Sequence, residues 1–330
     1  MDPLAASEAA EDMSWVRVDE TSAIGTARRA TEALAGQLGL PPSRVAEVGL
    51  AVTEMATNVN RHGGGGSLLL RTIRHGETAA LEVVAVDAGP GMVDVTASRR
   101  DGHSTSGTLG IGLGAVDRLA NSVEISSLRE RGTIVVARFE ADRRQPLARE
   151  RAAGVTRAIA GETVCGDAYA VRREGDRLLV MVADGSGHGP LAAVASREAV
   201  RVFTAGAGVS APEPALRAVH RALAGTRGAA VAIADLDLVG RVVRFAGIGN
   251  IAGAVVTGDL KQSMVSIAGV AGFRQPTIRL FTYPLEPASL VVLQSDGVTP
   301  RWRAGDLGPV LGCSALLVAA TVLRDSAVRP

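Results

Sequence analysis

The sequence predicts an α+β protein of two domains, each a sandwich of sheet and helix layers. Three observations predict it. The chain has 330 residues and is 47% hydrophobic, a length that suggests about two domains and an apolar content that can fill a core in each. The front half runs helices, strands, a glycine-rich loop, a helix and more strands, the order of a helical layer on one face of a mixed sheet. The back half is rich in short apolar strands, two of which deliver an aspartate into an Asp-Gly turn. Between the halves, Ala141–Arg151 (A-D-R-R-Q-P-L-A-R-E-R) is charged, holds a proline and lacks an apolar stripe, so it reads as a linker. The expected divisions are a disordered start over 1–14, a first domain over 15–140, the linker over 141–151, and a second domain over 152–330.

Composition excludes several classes of function. Net charge is +1 and aromatics are 3%, which gives neither the basic surface nor the stacking platforms of a nucleic-acid binder. Lys261 is the only lysine, so there is no Gly-Lys-Ser/Thr phosphate loop and no lysine of the protein-kinase type. Cys165 and Cys313 are far apart and form no metal-type spacing, which fits a reducing compartment. The first residues are small and acidic, unlike a signal peptide. The longest apolar run, Ala315–Leu323, is about half of the ~18 residues a membrane span needs. A cytoplasmic protein without membrane attachment is expected.

In the front half, Thr21–Leu38 carries apolar residues at helical spacing (Ile24, Ala27, Leu34, Leu38). Gly39 and the pair Pro41-Pro42 break it. Ser43 is placed to cap a second helix, with Val45, Val48, Val52, Met55 and Val59 as its buried stripe. Glu54 and Asn58 are four residues apart and so share a face, turned from that stripe. Strands are expected over Ser67–Ile73 and Ala79–Asp87, the second delivering Asp87 onto a glycine-proline turn. A glycine cluster, Gly107–Gly114, then opens a helix running through Leu119. Glycine allows close backbone approach, and a helix start offers free N–H groups to anions. Strands at Ser122–Ser127 and Thr133–Phe139 complete the half.

Three pieces of this half, Glu54–Asn58 (E-M-A-T-N), Asp87–Gly91 (D-A-G-P-G) and Gly107–Gly114, resemble the N, G1 and G2 boxes of the GHKL (Bergerat-fold) ATPase/kinase superfamily. Within it, the run D-G-H-S-T-S-G-T-L-G-I-G-L-G resembles the anti-sigma-factor serine kinases of partner-switching systems, nearer the RsbT-type switch kinases than the RsbW type. The resemblance implies ATP and Mg²⁺ as cofactors. Asn58 would hold Mg²⁺, and Glu54 would activate or position the attacking hydroxyl. Asp87 would accept the adenine amino group, with Gly89 and Gly91 admitting the base. Gly107, Thr108, Gly110, Gly112 and Gly114 would meet the phosphates, and Ser98–Thr108 would be a lid. His103, Ser104 and Thr105 also read as ordinary loop polars.

In the back half, strand Leu178–Ala183 delivers Asp184 into D-G-S-G-H-G, followed by a helix over Leu191–Phe203. Strands are expected at Ala229–Asp235, Val242–Ala246, Ala252–Val256 and Ser289–Gln294, the last delivering Asp296 into S-D-G. Asp167 sits in a Gly-Asp turn. Carboxylates gathered at strand ends repel one another unless cations join them, and an all-oxygen set favours Mg²⁺ or Mn²⁺. Such a pair of ions activates water for phosphate-monoester hydrolysis. Gly247–Ala252 fits a dinucleotide pattern but runs into a strand, so it reads as a hairpin. His188 reads as a rim histidine, and Cys165 as a packed small residue.

The pieces G-D-A-Y, D-G-S-G-H-G, F-A-G-I-G-N and L-Q-S-D-G-V resemble the PP2C-type phosphatases of the SpoIIE/RsbX family. The resemblance implies a PP2C-like α/β-β/α sandwich holding two Mn²⁺ or Mg²⁺. Asp167, Asp184 and Asp296 would be ligands, with the Gly185 carbonyl. Members of that family usually end in a strand carrying a further aspartate. Here the last helix, Ser314–Arg324, leads to D-S-A-V-R-P, so the final strand and one ligand are expected to be missing.

Together the resemblances imply a regulator of two opposed activities. One domain would phosphorylate a serine or threonine on a STAS-domain antagonist or stressosome-like protein, and the other would remove such a phosphate. The rival expectation is a binding module: an ATP-holding domain that sequesters a sigma factor or docks a STAS protein, with the second half as scaffold.

Overall fold

The computed structural model describes residues 13–75, 78–98, 112–142, 150–206, 211–273 and 277–328. It forms two compact units. The first comprises Ala10–Arg151 together with Gly312–Asp325; the second is built on Ala152–Leu311 and takes in Ser326–Pro330.

In the first unit, β1 (Met13–Arg17), β2 (Gly66–His75), β3 (Thr78–Asp87), β4 (Ser122–Leu128) and β5 (Gly132–Glu140) make one sheet in the order β1-β2-β3-β5-β4. Every neighbouring pair is antiparallel, which corrects the mixed sheet expected above. The reason is the return path. The chain leaves β3 through two helices and comes back as the edge strand β4, and β5 then inserts beside β3. No strand has to cross over in parallel. The expected disorder over 1–14 also needs correction at its end, because Met13 and Ser14 pair with Arg71 and Leu70 in β1. Residues 1–12 lie outside the described residues.

Helices α1 (Thr21–Gln37), α2 (Pro42–Arg61), α3 (Val95–Ser98) and α4 (Gly112–Leu119) belong to this unit. Val48, Val52, Met55 and Val59 of α2 form the buried stripe and share a core with Leu68 and Leu70, Leu81, Val83 and Ala85, and Val135, Ala137 and Phe139. These strand residues alternate, so one face of the sheet is apolar and covered by helices. Ser43 does not cap α2. The cap position is Pro41, with Pro42 opening the helix and no side-chain cap bond. Proline fits there because the first helical N–H has no partner within the helix.

The opposite face carries a row of charge. Arg71 stands opposite Glu82, and Glu82 opposite Arg138, on three adjacent strands. Arg71 Nε donates to Glu82 at 2.6 Å, and Arg138 Nε donates to the other Glu82 oxygen at 2.8 Å. Glu150 closes the set against Arg71 and Arg138 at 3.0 and 3.1 Å. Arg71 is 2% and Glu82 3% exposed, so each charge depends on its partners.

The second unit is a sandwich. One sheet, β12-β9-β8-β7-β6, is built from β6 (Asp167–Glu174), β7 (Arg177–Gly185), β8 (Ala229–Asp237), β9 (Val242–Ile248) and β12 (Phe281–Pro284). The other, β11-β10-β13, is built from β10 (Ala252–Thr257), β11 (Leu260–Met264) and β13 (Leu290–Gln294). Along β8, Val231 and Ile233 pack with Ala199 and Phe203 of α5 (Gly189–Ala205) and Leu216 of α6 (Pro212–Ala222). Ala232 and Ala234 face the other way, into a core with Val255 and Met264 of the smaller sheet. A period of two therefore separates the helix-covered face from the inter-sheet core.

Two expectations change here. Asp167 is not in a turn: it is the first residue of β6, paired with Asp184 of β7. Gly247–Ala252 is not a hairpin, because β9 and β10 lie in different sheets and the G-I-G-N loop carries the chain across. A short helix, α7 (Ala304–Leu307), precedes the last one, α8 (Ala315–Ser326).

α8 was expected in the second domain, yet its residues through Asp325 group with the first unit. The Ser314 N–H donates to the Glu124 carboxylate of β4 at 2.7 Å. Asp325 accepts from Arg131, in the β4–β5 turn, at 2.8 Å. Leu316, Leu317, Val318, Ala320 and Val322 are buried. Among the described residues no helix is long and apolar enough to cross a membrane.

Candidate active sites

In the first unit, α2 carries Glu54 and Asn58 on a half-buried face. Burial raises the Glu54 carboxyl above the usual carboxylate range, and the Arg61 charge opposes that rise. Asp87 ends β3 and is 9% exposed. Its Oδ1 accepts the N–H of Gly89 at 2.9 Å and that of Thr133 at 3.1 Å. Burial pushes the Asp87 pKa up; these two bonds and the nearby Arg324 charge pull it back.

The glycines around Asp87 are required by the protein's own backbone. A Cβ on Gly63, just past α2, would stand 2.5 Å from the Asp87 Cβ. One on Gly89 would stand 2.7 Å from the Gly63 Cα. Gly91 has φ +71° and would meet the Leu128 carbonyl at 2.3 Å. The Glu130 N–H also donates to the Pro90 carbonyl at 2.9 Å. The end of α2, the D-A-G-P-G turn and the β4–β5 turn are therefore one packed assembly around Asp87. Sequence reading assigned Gly89 and Gly91 but missed Gly63 and the turn Leu128–Gly132. The G-G-G-G run at 63–66 was the available signal.

Gly112 opens α4 with no atom within 4 Å of where a Cβ would stand, and Gly114 is buried in the same helix. Gly107, Thr108, Gly110, His103, Ser104, Thr105 and most of the expected lid lie outside the described residues.

In the second unit, the β6–β7 pairing sets Asp167 opposite Asp184. Burial, then the charges of Asp167 and Asp296, push Asp184 up to about 8. Asp167 is also raised by burial, against a 2.7 Å bond from the Ser295 hydroxyl. Asp296 accepts from Asn250 Nδ2 at 2.9 Å, so the G-I-G-N loop reaches this cluster, a role sequence reading did not assign. Gly185 has no room for a side chain: a Cβ would fall 2.0 Å from the Ala192 carbonyl. His188 bonds Glu162 at 2.6 Å. The Cys165 thiol is pushed up to about 11 by burial and the Asp167 charge, which leaves it unreactive.

The donor set is all oxygen, the type that suits Mg²⁺ or Mn²⁺. Asp167 and Asp296 stand near enough to oppose the ionisation of Asp184. Yet among the described residues no three carboxylate, imidazole or thiolate groups close tightly enough to form an ion cage. The set fits a divalent cation in kind and is open in arrangement.

Residues 18–139 match the family of the histidine kinase-like ATPase domain. Over 126 residues the chain is 32% identical to the serine/threonine-protein kinase RsbT of Bacillus subtilis (strain 168), covering 38% of this chain and 95% of that protein. The chain belongs to the RsbT-like kinase family. Behind the RsbT-like domain, residues 174–318 match the family of stage II sporulation protein E (SpoIIE). Among solved structures, RsbX in complex with magnesium is 20% identical, with TM-score 0.46, over 53% of this chain and 86% of that one. The PP2C phosphatase domain of Bacillus subtilis SpoIIE, with a fragment of its regulatory domain, is 12% identical, with TM-score 0.44, over 92% of this chain and 88% of that one. The two family matches give a GHKL-type ATPase domain followed by a PP2C-like domain, as the sequence predicts, and the strands of their sheets pair antiparallel.

Proposed function

We propose that this protein is a partner-switching regulator with two opposed activities. The first domain phosphorylates a serine or threonine on a STAS-domain partner, and the second dephosphorylates a phosphoserine or phosphothreonine protein. The domain limits follow the sequence reading, 15–140 and 152–330, with α8 added to the first. The carrying observation is the assembly that fixes Asp87 beside the end of the helix bearing Glu54 and Asn58.

ATP supplies the phosphoryl group, and Mg²⁺ neutralises its charge. Asp87 is held with Oδ1 bonded to the backbone, leaving Oδ2 to accept from the adenine amino group. Asn58 offers an amide oxygen to Mg²⁺. Gly107, Thr108, Gly110, Gly112 and Gly114 bring N–H groups to the phosphates. Glu54, with its raised pKa, takes the proton of the attacking hydroxyl. In the second domain, Asp167, Asp184, Asp296 and the Gly185 carbonyl would hold two Mn²⁺ or Mg²⁺, whose chemistry there would be to lower the pKa of a bound water.

The test is one incubation of the full chain with labelled ATP, Mg²⁺ and a STAS-domain protein, followed by a chase with Mn²⁺. Label should enter the partner and then leave it as inorganic phosphate. A partner that never gains label defeats the kinase assignment; label that persists through the chase defeats the phosphatase assignment.

A second reading keeps the kinase and makes the second domain a scaffold. The open arrangement of its aspartates favours it. Loss of label in the chase decides between the two.

A further inference from the structure

Asp296 stands in a loop, residues 295–303, that joins β13 to α7. Its charge reaches both Asp167 and Asp184. Like charges brought together push apart, so a loop that carries one of them toward the others has to be held.

The side-chain amide of Gln294, the last residue of β13, closes the loop on itself. Its Nε2 donates to the Val298 carbonyl at 2.7 Å, and its Oε1 accepts from Trp302 Nε1 at 2.7 Å. Gln294 is 7% and Trp302 8% exposed, so these bonds are sheltered from water. The near end of the loop is tied to the aspartates. The Ser295 hydroxyl donates to Asp167 at 2.7 Å, and Asn250 donates to Asp296 at 2.9 Å.

Lys261 holds the far end. It lies in β11, the edge strand of the smaller sheet. Its Nζ donates to the Pro300 carbonyl at 2.7 Å and to the Trp302 carbonyl at 2.9 Å, and stands 3.4 Å from the centroid of the Trp302 ring. The residue type fits the task. A guanidinium is a flat fork suited to carboxylates, whereas an ammonium is a compact charge that divides its donors between two carbonyls and a ring face. All the other lysine-or-arginine positions of this chain are arginine, and its one lysine stands here.

We propose that Lys261 is a positioning residue of the second domain's metal site: it fixes loop 295–302 in the closed form that keeps Asp296 beside Asp167 and Asp184 before an ion binds. This rests on the reading of those aspartates as cation ligands. Lys261 touches none of them and acts through Trp302 and Gln294. A ligand held in place beforehand loses less freedom when the ion arrives, so the brace is felt as metal affinity.

The test is Mn²⁺ binding to the full chain without nucleotide, read from the electron paramagnetic resonance signal of free Mn²⁺. Asp184→Asn identifies the second-domain ion as the one it loses. Lys261→Met keeps the apolar stem and removes the donors. Groups that orient metal ligands contribute about 10–100-fold in affinity, and Lys261 stands one step further out, so Lys261→Met should bind that ion at least about fivefold more weakly. Val219→Ala is the control for a general loss of stability: it opens the helix-covered core, away from the inter-sheet side, and should lower the melting temperature with Mn²⁺ affinity unchanged. A smaller loss in Lys261→Met overturns the proposal, as does an equal loss in Val219→Ala. If Lys261→Met does not fold, Trp302→Phe, which keeps a ring beside the ammonium and removes the bond to Gln294, is held to the same threshold. If wild type and Asp184→Asn bind Mn²⁺ alike, the metal reading of the aspartates itself fails; if they differ and Lys261→Met matches wild type, only this proposal fails.

Discussion

Gly63 and Asp87 touch. The glycine follows the helix that carries Glu54, the aspartate ends the central strand β3, and only 2.5 Å would separate an added Cβ from the Asp87 Cβ. Gly63→Ala should therefore push Asp87 out of its two backbone hydrogen bonds. Overpacking of this kind costs about 1–3 kcal/mol. The expected result is a lower melting temperature and ATP affinity reduced by about tenfold or more. Gly36→Ala in α1 is the control: nothing lies within 4 Å of the new methyl, so it should be neutral or stabilising by about 0.4–1 kcal/mol. ATP binding that survives Gly63→Ala unchanged would show that the contact does not position Asp87.

The roles of Glu54 and Asp87 separate by substitution. Glu54→Gln removes the base and keeps the shape, so phosphotransfer should fall by about 10²-fold or more while nucleotide binding stays within a factor of a few. Asp87→Asn should do the reverse, weakening ATP binding before it affects the chemical step. Equilibrium binding and single-turnover transfer, measured on both variants, distinguish the two. A binding defect in Glu54→Gln would contradict the assignment.

The charge row on the far face of the first sheet predicts a large stability effect away from either site. Glu82→Gln leaves Arg71 and Arg138 buried with Glu150 as the remaining carboxylate of the row. Breaking a buried pair in this way costs about 3–5 kcal/mol. The loss should be read from urea denaturation and should change little with added salt, because buried charges are weakly screened. A cost below about 1 kcal/mol would mean that the row behaves like a surface salt bridge.

Asp184 makes the second unit sensitive to pH when divalent cations are removed. Its pKa in the fold, about 8, lies above the ordinary value of about 4. A raised carboxyl pKa gives a stability contribution that is complete below the ordinary pKa. That contribution is lost as pH rises through the folded value. With chelator present, thermal stability should therefore decline between about pH 4 and pH 8. Asp184→Asn should flatten the decline. Mn²⁺ should offset it in wild type and not in the variant. A stability that rises over this range would exclude a carboxyl at Asp184 raised by burial and by the charges of Asp167 and Asp296.

Local patterns carried most of the fold. The stripe Val48, Val52, Met55, Val59 and the alternation along β3 and β8 are written in consecutive residues; Asp87 announces itself by ending an apolar strand ahead of a glycine-proline turn, and Asp184 by standing next to Gly185 at the end of another. What sequence reading missed depends on partners distant in the chain. β1 is too short to show a period and exists through its pairing with β2. Ser43 looked like a cap, and Pro41-Pro42 took that position. The β9–β10 loop looked like a hairpin because adjacent strands often pair, but each strand found other neighbours. Glu150 read as linker charge until Arg71 and Arg138 came into view. The last helix read as part of the second domain, and nothing within it says that β4 and the turn after it will hold its two ends through Ser314 and Asp325.

The route of α8 has a practical consequence. The chain leaves the first unit at Arg151, returns to it at Gly312 and departs again after Asp325. A protease nick between residues 140 and 152 thus cannot release the front half as a free fragment, since the helix that belongs to it stays joined to the back half. Native chromatography of nicked protein should recover both pieces in one peak, and only denaturant should part them. A gene truncated at the linker would yield a front half deprived of its own last helix.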